Sequence, residues 1–423
     1  MLPGCGSNRR KDNMMKKELP LLFDMQAPEA GVPRIFGEET VRTASGSYKR
    51  TTGEFWTEQQ RQMHSLHYIV SYRASFKPEL PEFFISRYSK PGQVVLDPFN
   101  GRGTTALQAN LMGRIAFGGD VNPMSERISY PKTRPVTPAE LKHALDAIPL
   151  DPDTPVEGEE AFAMFYHPQT FREIAGLKRW LRTHRTDADR FIELVSLSRL
   201  HGHSTGFLSV YSFPQISVPP ENQRKINERR GQTPDYRPIK QRILRKAQLS
   251  LRDADVAAIR SAAEHNRFHV CDARALSFPD ACADLIVTSP PFLNKADYLT
   301  DNWLELWFLD IPQAPLEASV VQTSSLRRWV EFIGPAIAEM DRVLRTGGVA
   351  VVEVGEVVHA GQMVYLDEVI VDIVENLRKN GCRLAVEQVL IHVQNFTKLA
   401  NCFNVDNNKK GTNTHRLVVL RKE

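Results

Sequence analysis

The stretch VVLDPFNGRGTTALQANLMGRIAFGGD, residues 94–120, decides the fold of this 423-residue chain. An apolar run ends at Asp97 and leads into a glycine loop, which opens a helix ending at Gly113 and then a second apolar strand ending at Asp120. Strand, helix and strand within about 30 residues are typical of a βαβ unit, in which parallel strands flank a crossover helix. The sequence therefore predicts an α/β fold with a parallel sheet.

The same pattern resumes in the C-terminal half of the chain. Three more strands are predicted at RFHVCDA (267–273), ADLIVTSPPF (283–292) and GGVAVVEVGEV (347–357). The last two apolar segments, CRLAVEQVLIHV and HRLVVLRK, alternate in the way that an antiparallel hairpin requires. One sheet is therefore assembled from both ends of the chain.

Composition and hydrophobic periodicity divide the chain into three parts. Residues 1–50 mix Gly, Pro, Ser and basic residues without a sustained apolar period, which predicts an irregular basic arm. Residues 51–123 and 266–423 carry the strand and helix pattern of the sheet. Residues 124–265 contain amphipathic helices and a basic segment, and we interpret them as an inserted, mostly helical region.

Composition excludes several classes of protein. Hydrophobic residues make up 42% and charged residues 25%, which is ordinary for a globular protein. The sequence has no run of about 18 apolar residues and no apolar segment of the signal-peptide kind near Met1. The five cysteines form no CxxC pair, which is typical of free thiols in a reducing compartment. We therefore expect a cytoplasmic protein that does not bind membranes.

Acidic residues end three successive predicted strands. Asp97, Asp120 and Asp272 lie where open α/β sheets hold ligands, at the carboxyl edge. Gly101 and Gly103 allow the backbone to approach a ligand at the start of a helix. An acid on the second strand can bind ribose hydroxyls, and one on the third can accept a hydrogen bond from an adenine amino group. Taken singly, each acid also fits a helix cap, and the glycines fit a plain tight turn.

The turn Ser289-Pro290-Pro291-Phe292 also follows a buried strand. The two prolines lack backbone donors and fix the chain, so the carbonyl groups remain available as acceptors. The Ser289 hydroxyl and the Pro290 carbonyl can accept the two hydrogens of an exocyclic amino group, and Phe292 can stack on the base. An ordinary proline turn with a core phenylalanine is the alternative.

Together, DPFNGRGTT and TSPPF on these elements resemble the amino-group DNA methyltransferases that use S-adenosylmethionine and modify cytosine N4 or adenine N6. The resemblance covers residues 70–130 and 266–420. It implies a Rossmann-like class I methyltransferase sheet with a C-terminal antiparallel hairpin, and no metal. It also implies that these residues bind the cofactor: Lys77, Asp97, Pro98, Phe99, Asn100, Gly101, Gly103, Thr104, Thr105, Asp120 and Asp272.

Ser289 in the first position of the turn favours cytosine N4, because adenine N6 enzymes of this family more often carry Asp or Asn there. Adenine N6 methylation is the first alternative. An RNA or protein amino methyltransferase is another, and a silent DNA-binding protein that keeps the fold is a third. In the main interpretation, the target base leaves the duplex so that its amino group reaches the cofactor.

A basic segment lies at the end of the inserted region. Between residues 221 and 252, ten basic residues accompany three acidic ones, a net charge of about +7 in a chain whose total is +4. Such a segment suits phosphate contacts, although a solvated helix face has the same composition. We predict a target-recognition region that binds double-stranded DNA, in a protein that accompanies a restriction endonuclease or belongs to a phage. The candidate contacts are Arg224, Lys225, Arg229, Arg230, Lys240, Arg242, Arg245 and Lys246.

Overall fold

The computed structural model describes residues 33–43, 47–56, 63–72, 75–214, 216–291, 293, 297, 299–359, 361–393 and 414–423. The strands are β1 (Arg34–Arg42), β2 (Ser47–Glu54), β3 (Val94–Asp97), β4 (Ile115–Asp120), β5 (Arg267–Val270), β6 (Ala283–Thr288), β7 (Leu344–Val354), β8 (Glu356–His359), β9 (Gln362–Tyr365), β10 (Leu384–Val393) and β11 (Thr414–Lys422).

The helices are α1 (Glu79–Tyr88), α2 (Thr104–Leu111), α3 (Met124–Thr133), α4 (Pro138–Ala147), α5 (Pro168–Thr183), α6 (Asp187–Leu197), α7 (Pro220–Arg230), α8 (Ile239–Leu251), α9 (Val256–Ala262), α10 (Trp303–Phe308), α11 (Gln313–Ser319), α12 (Leu326–Val343) and α13 (Leu366–Arg378). Within the described ranges, none of these helices combines the length and the apolar character needed to cross a bilayer.

Nine strands form one sheet in the order β1-β2-β10-β11-β7-β6-β3-β4-β5. The five strands from β3 to β7 are parallel, and β11 lies antiparallel between β7 and β10. From β3 the chain moves outward to β5 and then returns to place β6 on the other side of β3. The order therefore reverses between β3 and β6, which is where such sheets form ligand crevices. The predicted parallel α/β sheet with a C-terminal antiparallel pair is confirmed.

The sheet is buried on both faces because the side chains of each strand alternate. Val94 and Leu96 of β3 pack toward α12 and α13, in a cluster that contains the fully buried Trp329. Val95 points the opposite way and packs with Leu80 and other residues of α1 and α2. This three-layer arrangement holds the central strands, and so fixes the position of their carboxyl ends.

The helices α3 to α9 lie between β4 and β5 in the chain and have a hydrophobic core of their own. Helices α10 and α11 pack into the same core through Leu304, Leu306 and Leu316. The assignment of residues 266–423 to the sheet domain stays a prediction, because the same core also contains Leu107 of α2, besides residues of α10 and α11. Their apolar residues find partners among the inserted helices, as the stacked rings of Phe171 and Trp307 show at 5.7 Å.

The predicted irregular arm is also wrong where the structure describes it. Residues 34–42 form β1 and residues 47–50 begin β2, and β2 pairs in parallel with β10. The part of the arm before residue 33 lies outside the described residues. The hairpin escaped prediction because β1 is an edge strand whose residues are mostly exposed, so it lacks the apolar alternation that marks a half-buried strand.

The glycine loop turns sharply between β3 and α2. Gly103 has a φ of +71°, and a Cβ atom at this position would lie 2.2 Å from the Ser129 hydroxyl oxygen on α3. The Gly103 amide donates a 2.7 Å hydrogen bond to the Asn100 carbonyl, which closes the turn. Glycine is therefore required here both for its backbone conformation and for the close approach of α3.

We expect Gly103→Ala to destabilise the protein more than Gly92→Ala. Gly92 also has a positive φ, +82°, but its Cβ would meet no atom within 4 Å. Gly92→Ala should therefore cost only the backbone strain, about 1–2 kcal/mol. Gly103→Ala adds overpacking and should cost roughly 3 kcal/mol or more. Urea unfolding of both variants measures the difference, and equal losses would mean that α3 moves away from the loop without cost.

Candidate active site

A cavity lies at the carboxyl ends of the central strands, where β3, β4 and β6 end. Parallel strands bring their carboxyl ends to one edge, so residues that are distant in sequence line the same space. The glycine loop, the strand-end acids and the proline turn therefore share one crevice. The predicted residues on its wall are Asp97, Pro98, Phe99, Asn100, Gly101, Thr104, Asp120, Asp272, Ser289 and Pro291.

Asp97 joins the two strands that border the switch point. Its carboxylate accepts a 2.6 Å hydrogen bond from the Thr288 hydroxyl at the end of β6, and a 3.1 Å bond from the Phe99 amide. Asp97 is 1% exposed, and this burial raises its pKa to about 7, against the opposing effect of the hydrogen bonds. The carboxylate thus fixes the glycine loop relative to the turn that begins at Ser289.

Asp120 performs a similar task at the end of β4. One carboxylate oxygen accepts a 2.8 Å bond from the Gly101 amide, and the other accepts a 2.9 Å bond from the Asn122 amide. Burial raises the pKa of Asp120, while these two amide bonds oppose the rise. Each oxygen retains a lone pair, so the carboxylate can still accept hydrogen bonds from hydroxyl groups of a ligand.

Two residues that line the cavity have buried amide atoms without a partner in the described part of the chain. Asn100 uses its amide nitrogen on Ser125 and Ser129, both at 2.8 Å, but its Oδ1 has no partner among the described residues. Asn122 accepts from the Met124 amide through Oδ1, and its Nδ2 has no partner in the same part of the chain. A buried polar atom without a partner is costly, so these two amides hold their positions at a cost in free energy.

Arg102 also lines the cavity, although the sequence analysis passed over it. Its guanidinium donates to the Thr104 hydroxyl at 3.0 Å and to the Phe76 carbonyl at 3.1 Å. Burial lowers the pKa of Arg102 to about 10, and no carboxylate among the described residues forms an ion pair with it. A cation within a glycine loop was the signal that could have identified it, because a charge beside a ligand-binding turn needs an anionic partner.

Asp272 reaches the cavity but is already engaged. Arg274 holds it in a two-pronged ion pair, with nitrogen–oxygen distances of 2.7 to 3.1 Å, and the Arg274 amide donates a further bond. The hydrogen bond from this guanidinium lowers the pKa of Asp272. The Asp272 lone pairs that were predicted to accept from an adenine amino group therefore already accept from Arg274.

The proline turn is rigid where the structure describes it. The Trp329 indole donates a 2.8 Å hydrogen bond to the Pro291 carbonyl, which ties the turn to α12. Ser289 is partly exposed toward the cavity, whereas Pro290 is buried behind it. Phe292, the predicted stacking residue, lies outside the described residues.

A buried acid lies directly behind Ser289. The Ser289 hydroxyl donates to Oε2 of Glu353, which is on the neighbouring strand β7 and is 3% exposed. The other oxygen, Oε1, lies 2.9 Å from Nδ1 of His415 on β11. Neither Glu353 nor His415 was predicted from the sequence. A single charge inside the apolar run VAVVEV was the available signal, because a buried charge requires partners.

Some predicted cofactor residues are not on the cavity wall. Lys77 is exposed, and Gly103 packs against α3 as described above. Thr105 is fully buried and donates a 3.1 Å bond to the Val287 carbonyl, which attaches α2 to β6. Gly103 and Thr105 therefore hold the glycine loop against α3 and β6, outside the cavity.

The predicted DNA contacts fall into two groups. Five are exposed, four of them on α7 and one on α8: Arg224, Lys225, Arg229, Arg230 and Arg245. The other three bind backbone carbonyls of this chain. Lys240 donates to the Ile148 carbonyl at 2.7 Å, Arg242 to that of Thr205 at 3.1 Å, and Lys246 to that of Tyr68 at 3.1 Å. These three side chains hold segments of the helical region together.

Comparison with known proteins identifies related sequences. Residues 13–130 match a family model described as DNA methylase, of the N6 and N4 type. The chain is 21% identical over 328 residues to the Type II methyltransferase M.BsoBI of Geobacillus stearothermophilus, which covers 68% of this chain and 63% of that protein. It is 35% identical over 89 residues to the Type II methyltransferase M.MjaII of Methanocaldococcus jannaschii, or 21% of this chain and 17% of that protein.

A solved structure of a TehB-like SAM-dependent methyltransferase from Corynebacterium glutamicum covers 82% of this chain and 89% of its own, with 11% identity and a TM-score of 0.29. The chain spans less than two thirds of the length of the two Type II relatives. The family match confirms the resemblance drawn from the sequence motifs and, with it, S-adenosylmethionine as the cofactor.

The free energy of unfolding should depend on pH through Asp97. Because its pKa of about 7 in the folded protein exceeds the ordinary value of 3.8, the native state binds this proton more tightly than the unfolded chain does. The stabilising contribution of Asp97 is therefore full below about pH 4 and is lost as the pH rises toward 7. Urea unfolding of wild type and Asp97→Asn should show their difference in free energy changing by a few kcal/mol across this range.

Thr288→Val provides the control for this prediction. It removes a hydrogen bond that lowers the pKa of Asp97, so the loss of stability should continue to higher pH than in wild type. A difference between wild type and Asp97→Asn that does not vary with pH would mean that Asp97 stays ionised throughout.

Proposed function

We propose that this chain, whose residues 13–130 match the model of a DNA methylase family, methylates the exocyclic N4 amino group of cytosine in DNA. The observation that supports this most is the shared cavity. The glycine loop, Asp120 and the Ser289 turn line the same space, as transfer from a bound cofactor to a bound base requires. In-line transfer depends chiefly on holding the two reacting groups in position.

The donor set of the cavity fits S-adenosylmethionine, which supplies an electrophilic methyl group when bound. Asp120 would hold the ribose hydroxyls through the lone pairs that remain on its carboxylate. Arg102 would hold the carboxylate of the methionine end, because it is a half-buried cation on the cavity wall whose guanidinium already donates to Thr104 and Phe76. Asp272 would accept from the adenine amino group in competition with Arg274.

The proline turn would hold the target base. We propose that Ser289 and the Pro290 carbonyl accept the two amino hydrogens, which draws the nitrogen lone pair out of conjugation and directs it toward the methyl group. A base within a duplex cannot enter a crevice of this kind, so the target nucleotide would be flipped out. Both acceptors suit an amino group and neither suits a carbonyl oxygen.

Cytosine N4 is favoured over adenine N6 by Ser289, on the resemblance described above. Adenine N6 methylation uses the same cavity and remains the alternative. The names of the Type II relatives support a role beside a restriction endonuclease, and we extend that role to this chain as part of the proposal.

We further propose that residues 124–265, together with α10 and α11, recognise the DNA target. Arg224, Lys225 and Arg229 of α7 support this, because exposed guanidinium and ammonium groups can neutralise phosphates. Arg230 is exposed too, but its guanidinium stacks over the Tyr211 ring at 3.8 Å. Lys240, Arg242 and Lys246 contribute less, since their side chains already bind backbone carbonyls.

Nucleoside mass spectrometry is the experiment that tests the function. Unmethylated bacterial DNA incubated with the protein and S-adenosylmethionine should gain N4-methylcytosine. N6-methyladenine instead would keep the fold and the chemistry but overturn the assignment of the base. If no DNA nucleoside is methylated, the same assay on RNA and protein and a test of cofactor binding separate the remaining alternatives, including a silent DNA-binding protein.

Ser289→Ala should lower the rate of methyl transfer, whereas Asp120→Ala should lower the affinity for the cofactor. Ser289→Ala should lower the rate of methyl transfer about 100-fold through loss of alignment, with little change in cofactor affinity. Asp120→Ala should weaken binding of S-adenosylhomocysteine by at least about tenfold, because it removes hydrogen bonds to a charged group. Calorimetric titration and initial rates at saturating cofactor separate the two effects.

Asp280→Ala is the control for this pair. Asp280 is an exposed acid that pairs with Arg342 and does not line the cavity, so its loss should alter neither quantity. Equal losses of affinity in Ser289→Ala and Asp120→Ala would contradict the roles assigned here.

A further inference from the structure

The hydrogen of the Ser289 hydroxyl is committed within the protein. It is donated to Oε2 of Glu353, on the strand next to β6. A hydroxyl has one hydrogen, so only the lone pairs of Ser289 remain for the substrate. Glu353 therefore makes Ser289 an acceptor toward the cavity, which is the orientation that an amino group requires.

The second oxygen of Glu353 is held just as firmly. An ionised carboxylate can only accept, so the 2.9 Å contact with His415 places the hydrogen on Nδ1 of the imidazole. The side chain of Glu353 is 4% exposed and that of His415 is 16% exposed. Among the described residues, no lysine or arginine forms an ion pair with Glu353. The partners of this buried acid are thus a serine hydroxyl and an imidazole.

A carboxylate in this position meets a chemical need of amino methylation. When the amino nitrogen forms its bond to the methyl carbon, the methyl–sulfur bond breaks and its electron pair stays on sulfur. The nitrogen then carries a positive charge and must lose one of its two hydrogens as a proton. The Pro290 carbonyl is a very weak base, and a serine hydroxyl can accept a proton only if it passes on its own.

We propose that Glu353 accepts this proton through Ser289. The nitrogen–hydrogen bond breaks and its electrons return to the amino nitrogen, while the proton moves to the Ser289 oxygen. In the same step, the original hydroxyl proton of Ser289 moves to Oε2 of Glu353. Charge and atoms balance, because a cationic base and a carboxylate become a neutral methylated base and a carboxylic acid. The inference rests on the proposed function, since it concerns the product of that reaction.

His415 is a positioning residue in this arrangement. Its hydrogen bond orients the carboxylate so that Oε2 faces Ser289. Strand β11 brings it there, since Leu417 of β11 pairs with Glu353 of β7 in the sheet register. Its effect on the reaction therefore passes through this hydrogen bond to Glu353.

Glu353→Gln tests the proposal with little change in shape. The glutamine carbonyl can still accept from Ser289, but the amide cannot take up a proton at neutral pH. The initial rate of methyl transfer from tritiated S-adenosylmethionine to unmethylated bacterial DNA should fall about 100-fold, the lower end of the usual range for proton transfer catalysis. The dissociation constant for S-adenosylhomocysteine should stay within about twofold of wild type.

Chemical rescue separates proton transfer from a structural role. In Glu353→Ala, added formate should restore part of the lost rate, because a small carboxylate can enter the space left by the side chain. Glu356→Gln is the matched control. Glu356 lies three residues further on, at the start of β8, and accepts a 2.6 Å bond from Thr414 of β11. It should keep the wild-type rate and show no response to formate.

The double variant completes the test. If Glu353 acts through Ser289, then Glu353→Gln should cause no further loss of rate in a Ser289→Ala background. Independent, additive losses without rescue would assign Glu353 a structural role and overturn the inference, as would a wild-type rate in Glu353→Gln. Absence of methyl transfer by the wild-type protein itself would instead overturn the proposed function, and the inference with it.

Discussion

The cavity depends on the buried carboxylate of Asp97. It binds the Thr288 hydroxyl from β6 and the Phe99 amide from the glycine loop, across the point where the strand order reverses. At a switch point, the loops that follow the two neighbouring strands run in different directions. The hydrogen bonds of the sheet do not fix the position of one loop relative to the other. Asp97 supplies that constraint. Burying its carboxylate costs free energy, and the same burial raises its pKa. The loop of one strand and the turn of the other are thereby held as one unit.

The helical region is attached to this unit at more than its two ends. Beyond the proline turn the chain enters α10, where the buried Glu305 accepts from His201 at 2.9 Å and also from Ser217. It returns after α11 to line the cavity at Ser319–Val321. The segment that begins at the catalytic turn is therefore anchored in the inserted helices before it forms a cavity wall.

The predictable parts of the molecule were those encoded locally. The βαβ unit and the strand-end acids Asp97 and Asp120 follow from patterns within about 30 residues, which is the range over which hydrophobic period and turn chemistry act. Glu353 and His415 could not be predicted as partners, because they are 62 residues apart and meet only through the order of strands in the sheet. The edge strand β1 was missed for the opposite reason, since exposure on most positions removes the periodic signal.

The charges around the cavity favour a cationic ligand of the kind proposed. Asp97 is buried and Asp120 is half-buried, and desolvation raises the pKa of each, whereas Arg102 brings a positive charge to the wall. Binding a sulfonium group would stabilise the ionised carboxylates and return part of the free energy that their burial costs. A neutral analogue that lacks this charge gains less from the same acids. In the proposed reaction, these acids would therefore bind the methyl donor more tightly than its demethylated product, which would favour release of the product after transfer.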